Sequence, residues 1–115
     1  MSYPQRGELY WVNLDPTIGS EIAKTRPAVV ISNNIGNQYA DRVIVAPVTS
    51  VNVARAYPFE VKLEVGEGGV VQTSKVLLDQ IRTVDKTRLG AKLGTLSAER
   101  MEEVNRAIRL SLAVQ

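Results

Sequence analysis

Arginine, lysine, carboxylates, hydroxyls and phenols are the side chains this sequence offers for polar chemistry on a substrate. Its 115 residues include no histidine and no cysteine. That excludes a typical zinc site, a thiolate nucleophile and a histidine general base. Any catalysis must therefore use Arg, Lys, Glu, Asp, Ser, Thr or Tyr, and three stretches bring such residues together. The first, DPTIGSEIAKTRP, carries Ser20, Glu21, Lys24 and Arg26 just ahead of Pro27. Proline biases the residue before it toward an extended backbone, so Arg26 is expected to project from a sheet edge and not from a loop tip. The second stretch, VIVAPVTS, ends an apolar run on Thr49 and Ser50. The third, SKVLLDQIRT, sets Asp79, Gln80, Arg82 and Thr83 around a strand, where Gln80 and Arg82 share one face and can meet a ligand there.

Each stretch also has a plainer reading. An Arg before a Pro is commonly a solvated turn residue, and a hydroxyl at a strand end commonly bonds to the following turn. Alternation along a half-exposed strand explains part of the polarity between Ser74 and Thr83, and Asp79 can simply pair with a nearby Arg. The aromatics Tyr3, Tyr10, Trp11, Tyr39, Tyr57 and Phe59 offer stacking surfaces for unpaired bases, although most aromatics of a small chain pack in its core or rim.

The elements that must position these residues are short. Runs rich in β-branched residues at Glu8 to Leu14, Ala28 to Ser32, Val43 to Thr49, Phe59 to Leu63 and Val76 to Ile81 read as strands bounded by Gly, Pro, Asn and Asp. Val70 to Thr73 can pair with Phe59 to Glu64 as a hairpin, since Gly66, Gly68 and Gly69 supply positive-φ positions. Leu89 to Leu96 is a weaker last strand. One helix is expected from Ser97, a good N-cap, with Glu99 in its first turn and an apolar face of Met101, Val104, Ile108 and Leu112. Strands first and one amphipathic helix last predict a mostly β fold with a C-terminal helix, a strongly twisted antiparallel sheet or small barrel. Asp15 to Arg26, Asn33 to Arg42 and Ser50 to Pro58 are left as long polar loops of the kind that carry function.

Length and composition bound the rest. A chain of this size is expected to form one domain over residues 1–115. With 44% hydrophobic and 23% charged residues it has an ordinary globular composition, and no segment approaches the apolar length of a membrane helix. The N-terminal MSYPQRGELYW lacks a secretory apolar stretch, so a cytoplasmic location is expected. A formal charge of +2 leans toward anionic partners without identifying them. From Ser97 onward three acids balance three arginines, which leaves the basic excess in the remainder of the chain.

Taken together and in order, RGELYWVNLDPTIGSE (Arg6 to Glu21), RPAVVISNN (Arg26 to Asn34), VIVAPVTS (Val43 to Ser50) and SKVLLDQIRTVDKTRLG (Ser74 to Gly90) resemble the MazF/PemK family of toxin endoribonucleases over almost the whole chain. The resemblance implies an SH3-like small barrel of the PemK/CcdB type and a homodimer. It also implies sequence-selective cleavage of single-stranded RNA and inhibition by a partly disordered antitoxin. Arg26 and Thr49 fall on the positions the family uses for catalysis. Glu21 falls on an acidic position of the family's first loop whose catalytic role is less general. Ser20 and Gln80 fit the RNA-facing surface, and Lys24, Ser50 and Arg82 are further candidates for it. Arg26 and Thr49 are expected on the surface of a site and not in the core.

The chemistry so implied suits the missing residue types. The substrate's own 2′-hydroxyl can attack the adjacent phosphorus to give a 2′,3′-cyclic phosphate and a 5′-hydroxyl end, with no metal, no cofactor and no protein nucleophile. Arg26 would stabilise phosphorane charge through its donor fork, and Thr49 would add a neutral hydrogen bond. Either Arg26 or Glu21 could act as general base; an Arg is a poor base unless strongly perturbed. Two other readings stand beside this one: a CcdB-like inhibitor of DNA gyrase on the same fold, and a non-catalytic barrel that binds nucleic acid or a peptide. The partner expected of a toxin is an antitoxin with an acidic, flexible tail that competes with RNA for one basic groove.

Overall fold

A computed structural model of the chain describes residues 3–115; Met1 and Ser2 of the expected domain lie outside the described residues. Seven strands form one sheet: β1 (Glu8–Asn13), β2 (Thr25–Val30), β3 (Arg42–Thr49), β4 (Glu60–Leu63), β5 (Ser74–Leu77), β6 (Arg82–Asp85) and β7 (Leu89–Thr95). Their order is β4-β5-β3-β2-β1-β7, with β6 paired to β3 off this path, and all pairings are antiparallel. A short helix α1 (Asn34–Tyr39) precedes β3, and the long helix α2 (Ala98–Leu112) ends the fold. This is the mostly β architecture with a C-terminal helix that the sequence implies, in a small SH3-like barrel. No helix among the described residues is long and apolar enough to cross a membrane.

β3 is the strand on which the sheet turns. Its first half, Arg42 to Val45, pairs with β6, while Val48 and Thr49 pair with β5. The run is nearly all apolar because both faces are covered. Val43 and Val45 enter one core with Val12, Leu14, Ala28, Val30 and Val84, whereas Ala46 and Val48 enter a second with Leu9, Val29, Val61, Leu63 and Val76. Successive strand residues point to opposite faces, so one strand feeds two cores.

α2 starts where its sequence says it should. The Ser97 side chain accepts a hydrogen bond from the Arg100 amide at 3.2 Å, meeting one of the unpaired donors of the first turn. Val104 and Ala107 are buried, with Met101 and Ile108 packed against them. Leu112, expected on the same face, is 51% exposed. Ala113 takes the left-handed conformation and caps Arg109 and Leu110 just beyond it, so the last turn runs past the edge of the core. Arg100 bonds Glu67 through Nε and Nη2, at 2.8 and 2.9 Å, tying α2 to the turn before β5. That hydrogen bonding holds the Glu67 carboxyl below its usual range against a smaller opposing effect of burial.

Three expectations need correction. Val70 to Thr73 is not a strand: β4 pairs with β5, in register Lys62 to Lys75 and Leu63 to Ser74. The chain between them makes a 3-10 turn at Glu67–Gly69 that packs on β7 and does not reverse tightly. The expected strand from Val76 to Ile81 ends at Leu77, where the Gln80 amide donates back to the Leu77 carbonyl at 3.3 Å. Gln80 therefore lies in a turn, Arg82 opens β6, and the two do not share a strand face. The expected loop Asn33 to Arg42 contains α1, whose Gly36 hides a helical signal; the Asn33 side chain caps it by accepting from the Gly36 amide at 2.8 Å. Buried Asn37 anchors this helix by donating to the Ser32 carbonyl at 2.9 Å, while its Oδ1 meets the Ser32 hydroxyl.

Candidate active site

The cleft that gathers Arg26 and Thr49 is lined from five strands, β1, β2, β3, β5 and β7. β1 and β2 lie antiparallel with Trp11 opposite Pro27 and Val12 opposite Arg26, which brings Trp11 and Arg26 to one end of the pair. β3 delivers Thr49 and then Ser50 as it leaves the sheet, and β7 brings Lys92, opposite Tyr10. Together with Lys24, Gln72 and Ser74 they surround a cleft of about 600 Å³. Three cations line it, and no carboxylate does.

Proline at position 27 has the expected effect, since Thr25 to Val30 is extended. Arg26 is half-buried, and its Nε donates to the Ala23 carbonyl at 2.7 Å. That bond fixes the plane of the guanidinium. The terminal nitrogens take part in no hydrogen bond or ion pair among the described residues and remain available to an anion. Thr49 departs from expectation: it is 8% exposed and not on an open surface. The chain folds back over it, so that Thr49 Oγ1 accepts from the Val51 amide at 3.1 Å. A hydroxyl that accepts there still has its own proton to donate.

The preceding loop is held at several points. Lys24 has a left-handed backbone, φ 72°; its amide donates to Asp15 Oδ1 at 3.0 Å, and its carbonyl accepts from the Leu14 amide. Glu21 accepts from the Ile18 amide at 2.7 Å, closing its own turn. Glu21 does not line the Arg26 cleft. It borders a second one of about 490 Å³, shared with Ile22 and with Asp79 to Thr83. Gln80 and Arg82 are in that second cleft as well. Gln80 Oε1 accepts from the Ile22 amide at 2.8 Å, and Arg82 Nη1 donates to the Leu14 carbonyl at 2.9 Å. Ser20 is exposed and lines neither cleft. The sequence candidates thus divide, with Lys24, Arg26, Thr49 and Ser50 on one side and Glu21, Gln80 and Arg82 on the other.

Lys92 was not legible as a site residue. It is the single cation of an otherwise plain GAKLG segment, and only the pairing of β1 with β7 carries it to the cleft. Its ammonium sits 2.7 Å from Glu8 Oε2, while Glu8 Oε1 accepts from the Tyr10 hydroxyl and the Gln5 amide. Burial opposes ionisation of Glu8, but these hydrogen bonds prevail and hold its carboxyl below the usual range. Burial, then the bond to Glu8, pushes the Tyr10 phenol up to about 12. With Glu8 compensating Lys92, Lys24 and Arg26 are the cleft cations without an ion-pair partner among the described residues. No group of three or more Asp, Glu, His or Cys side chains among those residues is placed to hold a metal ion.

The model of a family described as PemK-like, MazF-like toxin of type II toxin-antitoxin system matches residues 5–112. The endoribonuclease MazF of Staphylococcus saprophyticus is 44% identical over 111 residues, which cover 96% of this chain and 92% of that one. The crystal structure of MazF from Deinococcus radiodurans superposes with a TM-score of 0.84 at 32% identity, covering 99% of this chain and all of the other. An endoribonuclease in complex with its cognate antitoxin, from a mycobacterial species, superposes with a TM-score of 0.80 at 26% identity over 97% of both chains. A match that spans both clefts and the helix behind them, at this identity and coverage, places the chain in the PemK-like, MazF-like toxin family of type II toxin-antitoxin systems.

Proposed function

We propose that this endoribonuclease toxin cuts single-stranded RNA in the Arg26 and Thr49 cleft, sequence-specifically and without a metal ion. The carrying observation is a cleft with three cations, no carboxylate and an Arg26 whose terminal nitrogens are unengaged. The 2′-hydroxyl of the nucleotide before the cut gives up its proton and attacks the adjacent phosphorus. The bond from phosphorus to O5′ breaks, and O5′ takes up a proton. One product ends in a 2′,3′-cyclic phosphate and the other in a 5′-hydroxyl. Arg26 meets the charge that grows on the phosphorane oxygens with a planar pair of donors, and Thr49 donates one more hydrogen bond. Of the two candidates for the base, Arg26 lies in the cleft with the reacting phosphate, whereas Glu21 lines the second cleft and would serve only once its loop carries it across. Lys24 and Ser50 guide the strand on one side; Gln80 and Arg82 receive bases on the other, and Ser20, on the exposed loop outside both clefts, meets the RNA beyond them.

The experiment is incubation of the purified protein with a long single-stranded RNA and a matched duplex in EDTA, followed by analysis of the fragment ends. Cleavage of the single strand alone, at a recurring short sequence and with cyclic phosphate and 5′-hydroxyl ends, is expected, because only unpaired bases expose their full edges. A requirement for magnesium, or 5′-phosphate ends, would refute the mechanism.

The same basic surface suits a second anionic ligand. Like the mycobacterial relative found with its cognate antitoxin, this toxin meets an antitoxin whose acidic, flexible tail orders along a toxin homodimer and occupies the RNA groove. Ordering such a tail costs several kcal/mol, so apolar anchors must add to the charge. A tail peptide and an uncleavable RNA that bind together without weakening each other would show that inhibition uses another site.

A further inference from the structure

Beneath the Ser50 to Pro58 loop lies the only ion pair among the described residues with both side chains buried. Lys75 Nζ is 2.9 Å from Glu60 Oε1, and each side chain is 7% exposed. The same ammonium donates to the Arg55 carbonyl at 3.0 Å and lies 6.0 Å from the centroid of the Tyr57 ring. Glu60 Oε1 also accepts from the Tyr57 amide at 3.0 Å. Above the pair, the Arg55 guanidinium stands 5.4 Å from the Tyr57 ring, which stacks on Phe59 with centroids 5.6 Å apart. The other end of the loop is tied by the Val51 amide to Thr49, the cross-strand neighbour of Lys75. Apart from half-buried Val53, every residue from Ser50 to Pro58 is exposed.

Strand packing does not account for this pair. Burying two charges costs most of what their attraction returns, and two apolar side chains of similar volume commonly serve a core as well or better. What an apolar pair lacks is a hold on loop backbone. The Lys75 ammonium has three donors and reaches a carboxylate and a loop carbonyl at once, and Glu60 takes the next loop amide but one.

We infer that the Lys75 and Glu60 pair is a positioning device that holds the Ser50 to Pro58 loop in one conformation beside the Thr49 end of the cleft and thereby sets the base selectivity of cleavage. Neither residue lines the cleft; both act through the loop. Tyr57 offers a stacking face and Arg55 a cation to a nucleotide flanking the cut, in a fixed relation to Thr49. The inference rests on the endoribonuclease reading of that cleft.

The test compares wild type with Lys75→Met combined with Glu60→Leu, which removes both charges at similar volume, and with Lys75→Arg. Amide hydrogen exchange of residues 51–57 reads the loop without any RNA. kcat and KM are then measured on an oligonucleotide carrying the preferred site and on one with a single base changed. In the double variant the loop amides should exchange at least about tenfold faster while β3 and β5 keep their protection. The preference between the two RNAs should fall by about tenfold or more, mainly through KM, with kcat on the preferred RNA within about threefold of wild type. Lys75→Arg should retain most of the preference. Tyr57→Ser leaves the buried pair intact and should lower the same ratio, which keeps the test open if the double variant unfolds. Wild-type loop exchange, or an unchanged preference in a folded double variant or in Tyr57→Ser, overturns the inference. A wild-type protein that cuts no RNA overturns the proposed function instead, while the exchange arm still reports on the clamp.

Discussion

Arg26→Ala is expected to lower the cleavage rate by about 100- to 1000-fold, the usual loss when one preorganised donor to a developing oxyanion is removed. The protein should stay folded. Arg26 gives the fold one side-chain hydrogen bond, to Ala23, worth about 1 kcal/mol net against a total stability of about 5–15 kcal/mol. The loss should therefore fall on kcat, with the melting temperature lowered by only about 4 °C. Arg26→Lys separates charge from geometry. A lysine restores the cation but not the two coplanar donors, so it should recover only part of the rate. Full recovery would reduce the role of Arg26 to charge alone, and a wild-type rate in Arg26→Ala would move the reaction out of this cleft. A gyrase inhibitor or a passive RNA-binding barrel would have no cleavage to lose.

Gly69→Ala, on the wall of the same cleft, should cost the fold more than Arg26→Ala. Gly69 has φ +86°, and a Cβ built on it would stand 2.3 Å from the Leu93 carbonyl oxygen. The obstacle is the backbone of β7, which cannot swing aside as a side chain can. Left-handed strain and overpacking each cost about 1–3 kcal/mol, together a large share of the total. Gly66 provides the control. Its φ is +96°, yet nothing lies within 4 Å of its built Cβ, so Gly66→Ala carries the backbone strain without the clash. Thermal unfolding should place Gly69→Ala well below Gly66→Ala, by roughly 4 °C or more for each kcal/mol of clash. Equal melting temperatures would mean that the turn at Glu67–Gly69 does not press on β7 as described.

These two positions mark how far the sequence could be read. Arg26 was legible because Pro27 constrains its backbone locally, and Ser97 because an N-cap acts within four residues. VIVAPV was legible as a strand from its apolar run, although its division between two cores was not, since that depends on which strands cover each face. Gly69 was visible only as a source of positive φ, and its contact with Leu93 is a long-range fact. The break after Leu77 escaped notice because KVLL and QIRTV are both good strand sequences; what separates them is that β3 accepts β5 near one end and β6 near the other. Leu112 fits the helical period yet lies beyond the core it was expected to meet. Lys75 looks like an exposed residue of a half-buried strand, and nothing in the sequence brings Glu60, which pairs with Leu77, within reach of its ammonium. The division of the candidates between two clefts follows from the same topology, with Glu21 beside Gln80 and Arg26 beside Thr49.

RNA bound at the Arg26 and Thr49 cleft should be cut by its own 2′-hydroxyl. The most direct measurement uses an oligonucleotide containing the mapped cleavage site and an otherwise identical one with a single 2′-deoxy sugar before the scissile phosphate, both incubated with the protein in EDTA. The first should be cut to a cyclic phosphate and a 5′-hydroxyl, while the second binds with similar affinity and stays intact. Cleavage of the deoxy-substituted strand at the same phosphate would contradict this, because the proposed nucleophile would be absent.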